Sequence, residues 1–221
     1  MNQREVFSED ALQWLSSQSS FEDCSFITSL PDISEFPEFS LDQWQDWFIQ
    51  TSKLVLSCTP LTGVTIFYQS DIKFNGTWID KGYLCQKAAE FLGHKLLWHK
   101  IVCRSPAGMA TFGRPSFSHM LCFSKGLTVD VAKSTADVIP DLGDKTWQRG
   151  MGLEACIVAA KFITEQTSSK ILVNPFCGEG SMLAAANAFG LQAIGIEKSQ
   201  KRAKKARILK LDTEKRRWID V

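Results

Sequence analysis

The sequence predicts an α/β fold in which helices cover both faces of a mostly parallel sheet. Apolar runs of strand length alternate along the chain with helical patterns, and this alternation is typical of parallel sheets. An antiparallel pair is expected at one edge, because only a loop rich in Gly, Pro and Ser separates the apolar runs 95–103 and 117–123. The length of 221 residues fits one domain, and no separate second domain is expected.

The predicted elements follow one another at short intervals. Ser40 is a helix cap, and the apolar residues after it recur at helical spacing, which predicts a helix over 41–57. The run 63–69 is apolar and β-branched, as expected of a buried strand, and Gly93 ends the helix that follows. The predicted helices are 11–15, 41–57, 80–92, 153–167, 182–189 and 199–211. The predicted strands are 24–29, 63–69, 95–103, 117–123, 170–173 and 192–196.

A nucleotide-binding corner is predicted late in the chain. The strand 170–173 leads into the turn 174–181, Asn-Pro-Phe-Cys-Gly-Glu-Gly-Ser, and then into an alanine-rich helix. Two glycines one residue apart let the backbone approach a ligand, and the helix N-terminus offers free N–H groups. The next strand ends in Glu197, where a carboxylate can hold the hydroxyl pair of a ribose.

Charge is unevenly distributed, although the net charge is only +1. Residues 1–50 carry ten acidic residues and one basic residue, whereas residues 198–217 carry ten basic residues and two acidic ones. A basic end suits a phosphate backbone, which makes nucleic acid a candidate partner. The alternative is a solvated helix face with no partner.

Several classes of protein are excluded by composition. The chain has no run of 18 apolar residues and no apolar signal segment after Met1, so we expect an intracellular protein, in cytoplasm or nucleus, neither secreted nor bound to a membrane. The seven cysteines form no C-x-x-C pair, which favours buried reduced thiols. His94, His99 and His119 lack metal-ligand spacing, so no metal is expected.

The turn 174–181 resembles the D-P-F-x-G-x-G-T cofactor motif of S-adenosylmethionine-dependent methyltransferases. The form is that of the DNA amino-methyltransferases and related RNA base methyltransferases. In one order of that family the catalytic D-P-P-Y segment comes first and the cofactor motif last, and this chain has that circularly permuted order. The segment 23–32 is similar to the strand and loop that carry D-P-P-Y.

Two further parts of the chain extend the resemblance, which covers residues 21–211. The segments 96–100 and 117–125 resemble the pair "W-x-K … h-E-x-x-x-x-F-x-K", and 153–162 matches the helix that precedes the cofactor strand. The resemblance implies a Rossmann-like methyltransferase sandwich with S-adenosyl-L-methionine as cofactor. It divides the chain into an N-terminal helical extension (1–20), a catalytic and acceptor half (21–169) and a cofactor-binding half (170–211).

The chain departs from the family pattern at two places. Asn174 stands where the cofactor motif has an acid, so the hydrogen-bonding capacity remains and the charge is lost. Where the family has D-P-P-Y, the chain has Ser29-Leu30-Pro31-Asp32. In the family the Asp or Asn oxygen and a prolyl carbonyl hold an exocyclic amino group while the Tyr stacks on the flipped base. A carboxylate at Asp32 instead predicts an acceptor with a ring N–H or a hydroxyl.

Carried over residue by residue, the resemblance predicts most of the site. The predicted catalytic residues are Ser29, Pro31 and Asp32, with Asp32 orienting or deprotonating the acceptor and an ordinary turn aspartate as the alternative. The segment 147–152 is expected to close over the methionine end of the cofactor. The predicted cofactor-binding residues are Thr28, Met151, Asn174, Pro175, Phe176, Cys177, Gly178, Gly180, Ser181 and Glu197.

Position in the sheet, independently of the resemblance, predicts residues that bind the substrate. Asp71, Lys73 and Trp78 follow a buried strand at its carboxyl end, the edge at which open α/β sheets bind ligands. Trp78 can stack on a base, or it can simply anchor a polar turn. Arg104 and Arg114 delimit a Gly- and Pro-containing loop and are expected to meet phosphates if that loop is a substrate flap.

Three functions remain compatible with these patterns. The first is a methyltransferase that acts on RNA, at a base or a ribose, with shape recognition or a protein partner in place of a large recognition domain. The second is a DNA amino-methyltransferase. The third is a methyltransferase fold that binds without catalysis, which the loss of D-P-P-Y favours. An NAD-dependent oxidoreductase fits poorly, since the Pro-Phe-Cys lead-in departs from the dinucleotide fingerprint.

Overall fold

The computed structural model describes residues 4–18 and 20–219. The helices are α1 (Ala11–Ser17), α2 (Leu41–Ser57), α3 (Lys81–Phe91), α4 (Leu153–Gln166), α5 (Ser181–Ala188) and α6 (Gln200–Ile208). The strands of the main sheet are β1 (Arg4–Phe7), β2 (Cys24–Thr28), β3 (Thr65–Gln69), β6 (Lys95–Cys103), β7 (Phe117–Ser124), β8 (Val138–Ile139), β9 (Ile171–Asn174) and β10 (Gln192–Ile196). Two hairpins lie outside it, formed by β4 (Ile72–Phe74) with β5 (Thr77–Ile79) and by β11 (Lys210–Asp212) with β12 (Arg217–Ile219).

The main sheet has the strand order β1-β10-β9-β2-β3-β7-β6-β8. Strand β7 is antiparallel to both of its neighbours, and every other neighbouring pair is parallel. The mostly parallel sheet predicted from the sequence is therefore confirmed. The antiparallel pair of β6 and β7 also forms, but it is not outermost, because Ile101 and Val102 of β6 pair with β8.

Helices cover both faces of the sheet, each over its own apolar core. Helices α4, α5 and α6 contribute Ala159, Leu183 and Ala206 to one core, which faces Ile66 and Leu172 of the sheet. Helices α1, α2 and α3 contribute to the second core on the opposite face. Strands buried on both faces have no polar alternation, which explains why β2 and β3 appear as continuous apolar runs in the sequence.

Side-chain caps fix where several helices begin. Ser40 and Gln43 form a reciprocal capping box at the start of α2, with Ser40 Oγ accepting from the Gln43 N–H at 3.2 Å. Asp10, Asp80 and Ser199 cap α1, α3 and α6 in the same position. The cap at Asp80 sets the first turn of α3, and that turn reaches the site described below.

The structure corrects four expectations about the periphery. The N-terminal extension is not only helical, since β1 pairs with β10 in parallel at the sheet edge; residues 1–3 and 19 lie outside the described part. The polar segment after β3 contains the β4–β5 hairpin, and β8 was not predicted. The last helix ends at Ile208 rather than at 211, and the β11–β12 hairpin follows it.

Two further features concern thiols and membranes. All seven cysteines carry free thiols, and five of them are buried. None of the helices in residues 4–18 and 20–219 has the length and apolarity that crossing a membrane requires.

Candidate cofactor and acceptor site

A cavity of about 350 Å³ opens at the carboxyl edge of the parallel strands. Strands β10, β9, β2 and β3 are neighbours there, and the loop after each of them contributes to the lining. The strand order reverses between β9 and β2, and open α/β sheets bind ligands at that kind of crevice. One cavity therefore joins the predicted nucleotide-binding corner to the predicted acceptor loop.

The corner between β9 and α5 is held by its own backbone and side-chain bonds. Asn174 Oδ1 accepts from the Phe176 N–H at 3.2 Å, so the asparagine serves as a turn former in place of the family's acid. The Cys177 N–H donates to the carbonyl of Ile196 at the tip of β10, at 3.0 Å. This bond ties the turn to the strand that ends in Glu197.

The two glycines of the corner have different roles. Gly178 has a φ of +57° and lines the cavity, and a Cβ there would lie 3.2 Å from the indole ring of Trp147. Gly180 has a φ of +85° and lies outside the cavity lining; a Cβ there would lie 2.7 Å from Cα of Ala206 in α6. Gly180 was also predicted to bind the cofactor, and the structure shows in addition that its lack of a side chain lets α6 pack against the turn.

Glu197 is buried at the end of β10 and faces the cavity. Its Oε1 accepts from Arg202 Nη2 at 2.8 Å and from the Ser199 N–H at 2.7 Å. The hydrogen bond to Glu197 raises the pKa of Arg202, whose guanidinium lies 5.4 Å from the Trp147 ring centre. Arg202 Nε is buried without a hydrogen-bond partner among the described residues, so this end of the cavity has spare donor capacity.

Asp32 lies in the acceptor loop between two cations. Lys81 Nζ, in the first turn of α3, donates to Oδ1, and Arg114 Nη2 donates to Oδ2. Burial by itself would raise the pKa of Asp32, but the charges and hydrogen bonds of Lys81 and Arg114 outweigh it and lower the pKa. Burial lowers the pKa of Lys81 against the opposing effect of Asp32. A carboxylate held in this way is a poor proton acceptor and a good orienting group.

The rest of the predicted acceptor loop also faces the cavity. Ser29 and Pro31 line it together with Asp32. The carbonyl of Pro31 accepts from Trp44 Nε1 at 3.3 Å, which fixes the loop against α2 and leaves the oxygen its second lone pair.

The predicted substrate residues divide between three locations. Arg104 and Arg114 line the cavity. Lys73 lines a second, more open cleft of about 450 Å³ and donates to the carbonyl of Thr111 at 2.8 Å. Asp71 and Trp78, which were also predicted to bind the substrate, line neither of these two cavities.

Asp71 is instead a buried hydrogen-bond centre. Its carboxylate accepts hydrogen bonds from the Lys81 N–H at 2.8 Å and from Trp78 Nε1 at 2.9 Å. A third hydrogen bond, of 3.0 Å, joins it to His119 Nε2. Burial would raise the pKa of Asp71, but these hydrogen bonds and the nearby imidazole lower it. The side chain that was expected to hold substrate therefore anchors the β4–β5 hairpin to the start of α3, and so positions Lys81.

One group of side chains has ligand atoms close enough for a metal ion. Ligand atoms of Asp71, Asp80 and His119 lie within 4.8 Å of one another. Asp71 is already bonded three times, and Asp80 Oδ1 accepts from the Tyr83 N–H at 2.8 Å as a helix cap. These bonds account for the group as part of the scaffold around α3.

Most of the predicted site residues meet in the one cavity. Those that line it are Ser29, Pro31, Asp32, Arg104, Arg114, Met151, Asn174, Pro175, Phe176, Cys177, Gly178, Ser181 and Glu197. Those that do not are Thr28, Asp71, Lys73, Trp78 and Gly180. Thr28 is buried inside β2, and its Oγ1 has no hydrogen-bond partner among the described residues.

The lining residues that the sequence analysis did not assign to the site include Tyr68, Lys81, Lys145 and Arg202. Lys81 directly follows the helix cap Asp80, which was a signal that it lies at the start of a helix close to the sheet edge. Nothing in the sequence indicated that its ammonium group is buried.

Comparisons with known proteins were made by sequence and by structure. No protein-family model matches the sequence, and no curated protein matches it either. The structure, in contrast, resembles solved structures over almost its whole length. TTHA0409 of Thermus thermophilus, provisionally described as a DNA modification methylase, matches with a TM-score of 0.70 at 16% identity over 92% of each chain.

Two more matches extend this result. The cytosine-N4-specific PvuII DNA methyltransferase matches with a TM-score of 0.69 at 14% identity, over 98% of this chain and 90% of its own. The chain has a methyltransferase fold. M1.HpyAVI in complex with SAM matches with a TM-score of 0.61 at 14% identity, over 92% of this chain and 97% of its own. TTHA0409 has likewise been solved in complex with S-adenosyl-L-methionine. The Rossmann-like methyltransferase sandwich implied by the sequence motifs is thereby confirmed.

Proposed function

We propose that the chain is an S-adenosylmethionine-dependent methyltransferase that acts on nucleic acid. The observation that carries the proposal is the single cavity that connects the glycine corner after β9 to the acceptor loop after β2. Methyl transfer needs the donor and the acceptor in line within one enclosed space. Two of the three described structural neighbours have been solved with the same cofactor.

The residues around the corner fit this cofactor. Gly178 lines the cavity without a side chain of its own, and the buried carboxylate of Glu197 stands where ribose hydroxyls would be held. Met151 lines the same cavity, and the indole of Trp147 lies against Gly178; both would help to exclude water from the methionine end. When bound, the cofactor supplies an electrophilic methyl group on a sulfonium.

Orientation of the acceptor is the task we assign to the loop after β2. Asp32 remains ionised between Lys81 and Arg114, so its oxygens attract hydrogen-bond donors of the acceptor rather than remove a proton. The Ser29 hydroxyl and the second lone pair of the Pro31 carbonyl are the neighbouring polar groups at this end. Oxygen acceptors of this kind suit an amino, ring N–H or hydroxyl group that is held in a fixed direction.

RNA is our first choice of substrate because the acceptor loop departs from the D-P-P-Y of the amino-directed enzymes. DNA is the alternative: TTHA0409 is provisionally described as a DNA modification methylase, and the PvuII enzyme is a DNA methyltransferase specific for cytosine N4. We also propose that a protein partner can help this chain to hold the nucleic acid. Apart from the main sheet and its helices, the described residues form mainly short hairpins and loops.

Titrations with two cofactors and one transfer assay test the proposal. S-adenosylmethionine should bind the purified chain in isothermal titration, NAD should not, and Gly178→Arg should abolish the binding. Label from methyl-labelled cofactor should then enter total RNA or, if the alternative holds, DNA. Asp32→Ala should abolish transfer and leave cofactor binding near the wild-type affinity. Binding of NAD in place of S-adenosylmethionine would overturn the proposal.

A binding module without catalysis is the second candidate, and one observation favours it. Both oxygens of Asp32 are engaged by cations of the chain itself. Cofactor binding without label in RNA, DNA or protein would select this candidate.

A further inference from the structure

The acceptor end of the cavity carries an excess of positive charge. Four cationic side chains line it. Lys81 comes from the first turn of α3, Arg104 and Arg114 from the two ends of the 104–114 loop, and Lys145 from the segment before α4. Asp32 is the carboxylate among them. Arg149 and Glu35, which also line the cavity, neutralise each other in an ion pair of 3.0 Å. With all groups ionised, the excess is three positive charges.

Within the described part of the chain, the hydrogen bonds among these side chains leave one of the cations without a partner for all of its N–H groups. Asp32 binds Lys81 and Arg114, and Lys145 Nζ donates to the Gln148 carbonyl at 2.7 Å. Arg104 Nη1 is buried and has no hydrogen-bond partner among the described residues. A buried guanidinium N–H without an acceptor is costly, because the group has lost its hydration and gained no bond in return.

The same cations repel one another. Burial first, and then the charges of Arg104 and Arg114, lower the pKa of Lys145. Burial likewise lowers the pKa of Arg104; Tyr68 and Asp32 oppose this effect, and the charge of Arg114 adds to it. A fold that holds like charges together in a cavity stores repulsion, which an anion in their midst would relieve.

We propose that the acceptor end of the cavity binds a phosphate group of the methyl acceptor, with Arg104 as its principal ligand. The inference rests on the proposed function and adds a binding site for one phosphate of the substrate, next to the acceptor loop. Guanidinium groups bind phosphate oxygens through paired, charge-assisted hydrogen bonds. A phosphate, whether a nucleotide's monoester or a strand's diester, brings at least one negative charge and two or more acceptor oxygens to these cations.

The phosphate can come from two sources, a free nucleotide or the backbone of a strand. The adjoining open cleft bears on this choice, since Asp32 and Arg114 line both spaces and Lys73 adds a cation to the cleft. The rest of that cleft is largely apolar, with Phe36, Phe39 and Phe74 among its walls. Cations beside aromatic rings are the usual elements of a single-strand path, so the backbone is the source we favour.

Binding assays with the full chain test the proposal, with S-adenosylhomocysteine present so that no turnover occurs. The probes are the four nucleoside 5′-monophosphates, the matching nucleosides, and 12-nucleotide single strands of RNA and DNA. We expect the monophosphates to bind at least about tenfold more tightly than the nucleosides. Tighter binding of the strands would assign the phosphate to a backbone, and equal binding would assign it to a free nucleotide.

Arg104→Gln is the decisive variant and Arg217→Gln its matched control, since Arg217 is exposed on β12 and does not line the cavity. The phosphate preference should disappear in Arg104→Gln and persist in Arg217→Gln. Circular dichroism and cofactor titration show whether Arg104→Gln is folded, and Arg104→Lys, which keeps the charge, should retain part of the preference.

Equal binding of nucleosides and monophosphates by the wild-type chain, or a preference that survives in folded Arg104→Gln, would overturn the phosphate site. Cofactor binding without any phosphate preference would remove this inference alone. A phosphate preference without cofactor binding would instead remove the proposed function and leave an anion site.

Discussion

Lys81 and Asp32 form a buried ion pair that joins the first turn of α3 to the acceptor loop after β2. The side chains are 3% and 8% exposed, so both charges are almost completely removed from water. Arg114 binds the other oxygen of Asp32 but is 40% exposed itself. The acceptor loop is therefore held at one oxygen by a buried cation and at the other by a cation that solvent can replace.

Loss of either buried partner should destabilise the chain more than loss of the exposed one. Asp32→Asn leaves Lys81 buried without an anion and should cost about 3 kcal/mol. Lys81→Met leaves Asp32 its bond to Arg114 and should cost about 2 kcal/mol. Arg114→Gln, the control, should cost about 1 kcal/mol or less because solvent screens that pair. Urea unfolding measures all three, and equal free energies of unfolding for the three variants would refute this account of the loop.

Gly180→Ala should destabilise the fold more than the same substitution at Gly190. Both glycines have a φ of +85°, which costs an alanine about 1 kcal/mol. A Cβ at Gly180 would also lie 2.7 Å from Ala206 Cα, whereas nothing lies within 4 Å of one at Gly190. Backbone cannot move aside cheaply, so we expect a total of about 3 kcal/mol for Gly180→Ala. Urea unfolding of the two variants separates overpacking from backbone strain, and similar values would show that α6 yields to the added methyl group.

Trp147→Ala should weaken cofactor binding, whereas Trp78→Ala should not. The Trp147 ring covers Gly178 inside the cavity, and its loss removes apolar contact area there. We expect about a tenfold increase in the dissociation constant of S-adenosylmethionine, as for loss of a moderate aromatic contact. Trp78 is 47% exposed and outside the cavity lining, so it serves as the matched control. Isothermal titration gives both constants, and equal affinities for the two variants would mean that Trp147 does not cover the bound cofactor.

Stability should fall in acid partly through Asp71. The hydrogen bonds of Asp71 lower its pKa in the folded state below the unfolded value of about 3.9. The stabilisation is therefore complete above that value and is lost as the pH falls through the folded pKa.

Asp71→Asn should test that assignment. At pH 7 the variant should be less stable by about 2 kcal/mol, because its amide cannot accept all three bonds. The difference from the wild type should shrink as the pH falls below about 4 and the carboxylate becomes protonated. Urea midpoints across that range are the measurement, and a difference that stays constant with pH would assign the loss to packing rather than to charge.

Local patterns determined much of the fold. The helix over 41–57 and the strands over 95–103 and 192–196 have the predicted bounds, because capping residues and apolar periodicity act within a few residues. The weak elements escaped prediction. Strand β1 has four residues and no regular alternation, and it exists because the edge of β10 offers unpaired backbone groups.

The sequence alone determined the glycine corner, the acidic strand end at Glu197 and the position of the acceptor loop, since each depends on neighbouring residues. Only the tertiary structure decided what surrounds them. It pairs Lys81 with Asp32 and Asp71 with His119. It also packs α6 against Gly180. The reason is physical: burial, hydrogen-bond partners and electrostatic fields arise from side chains that lie far apart along the chain and meet only when the sheet brings its strand ends together.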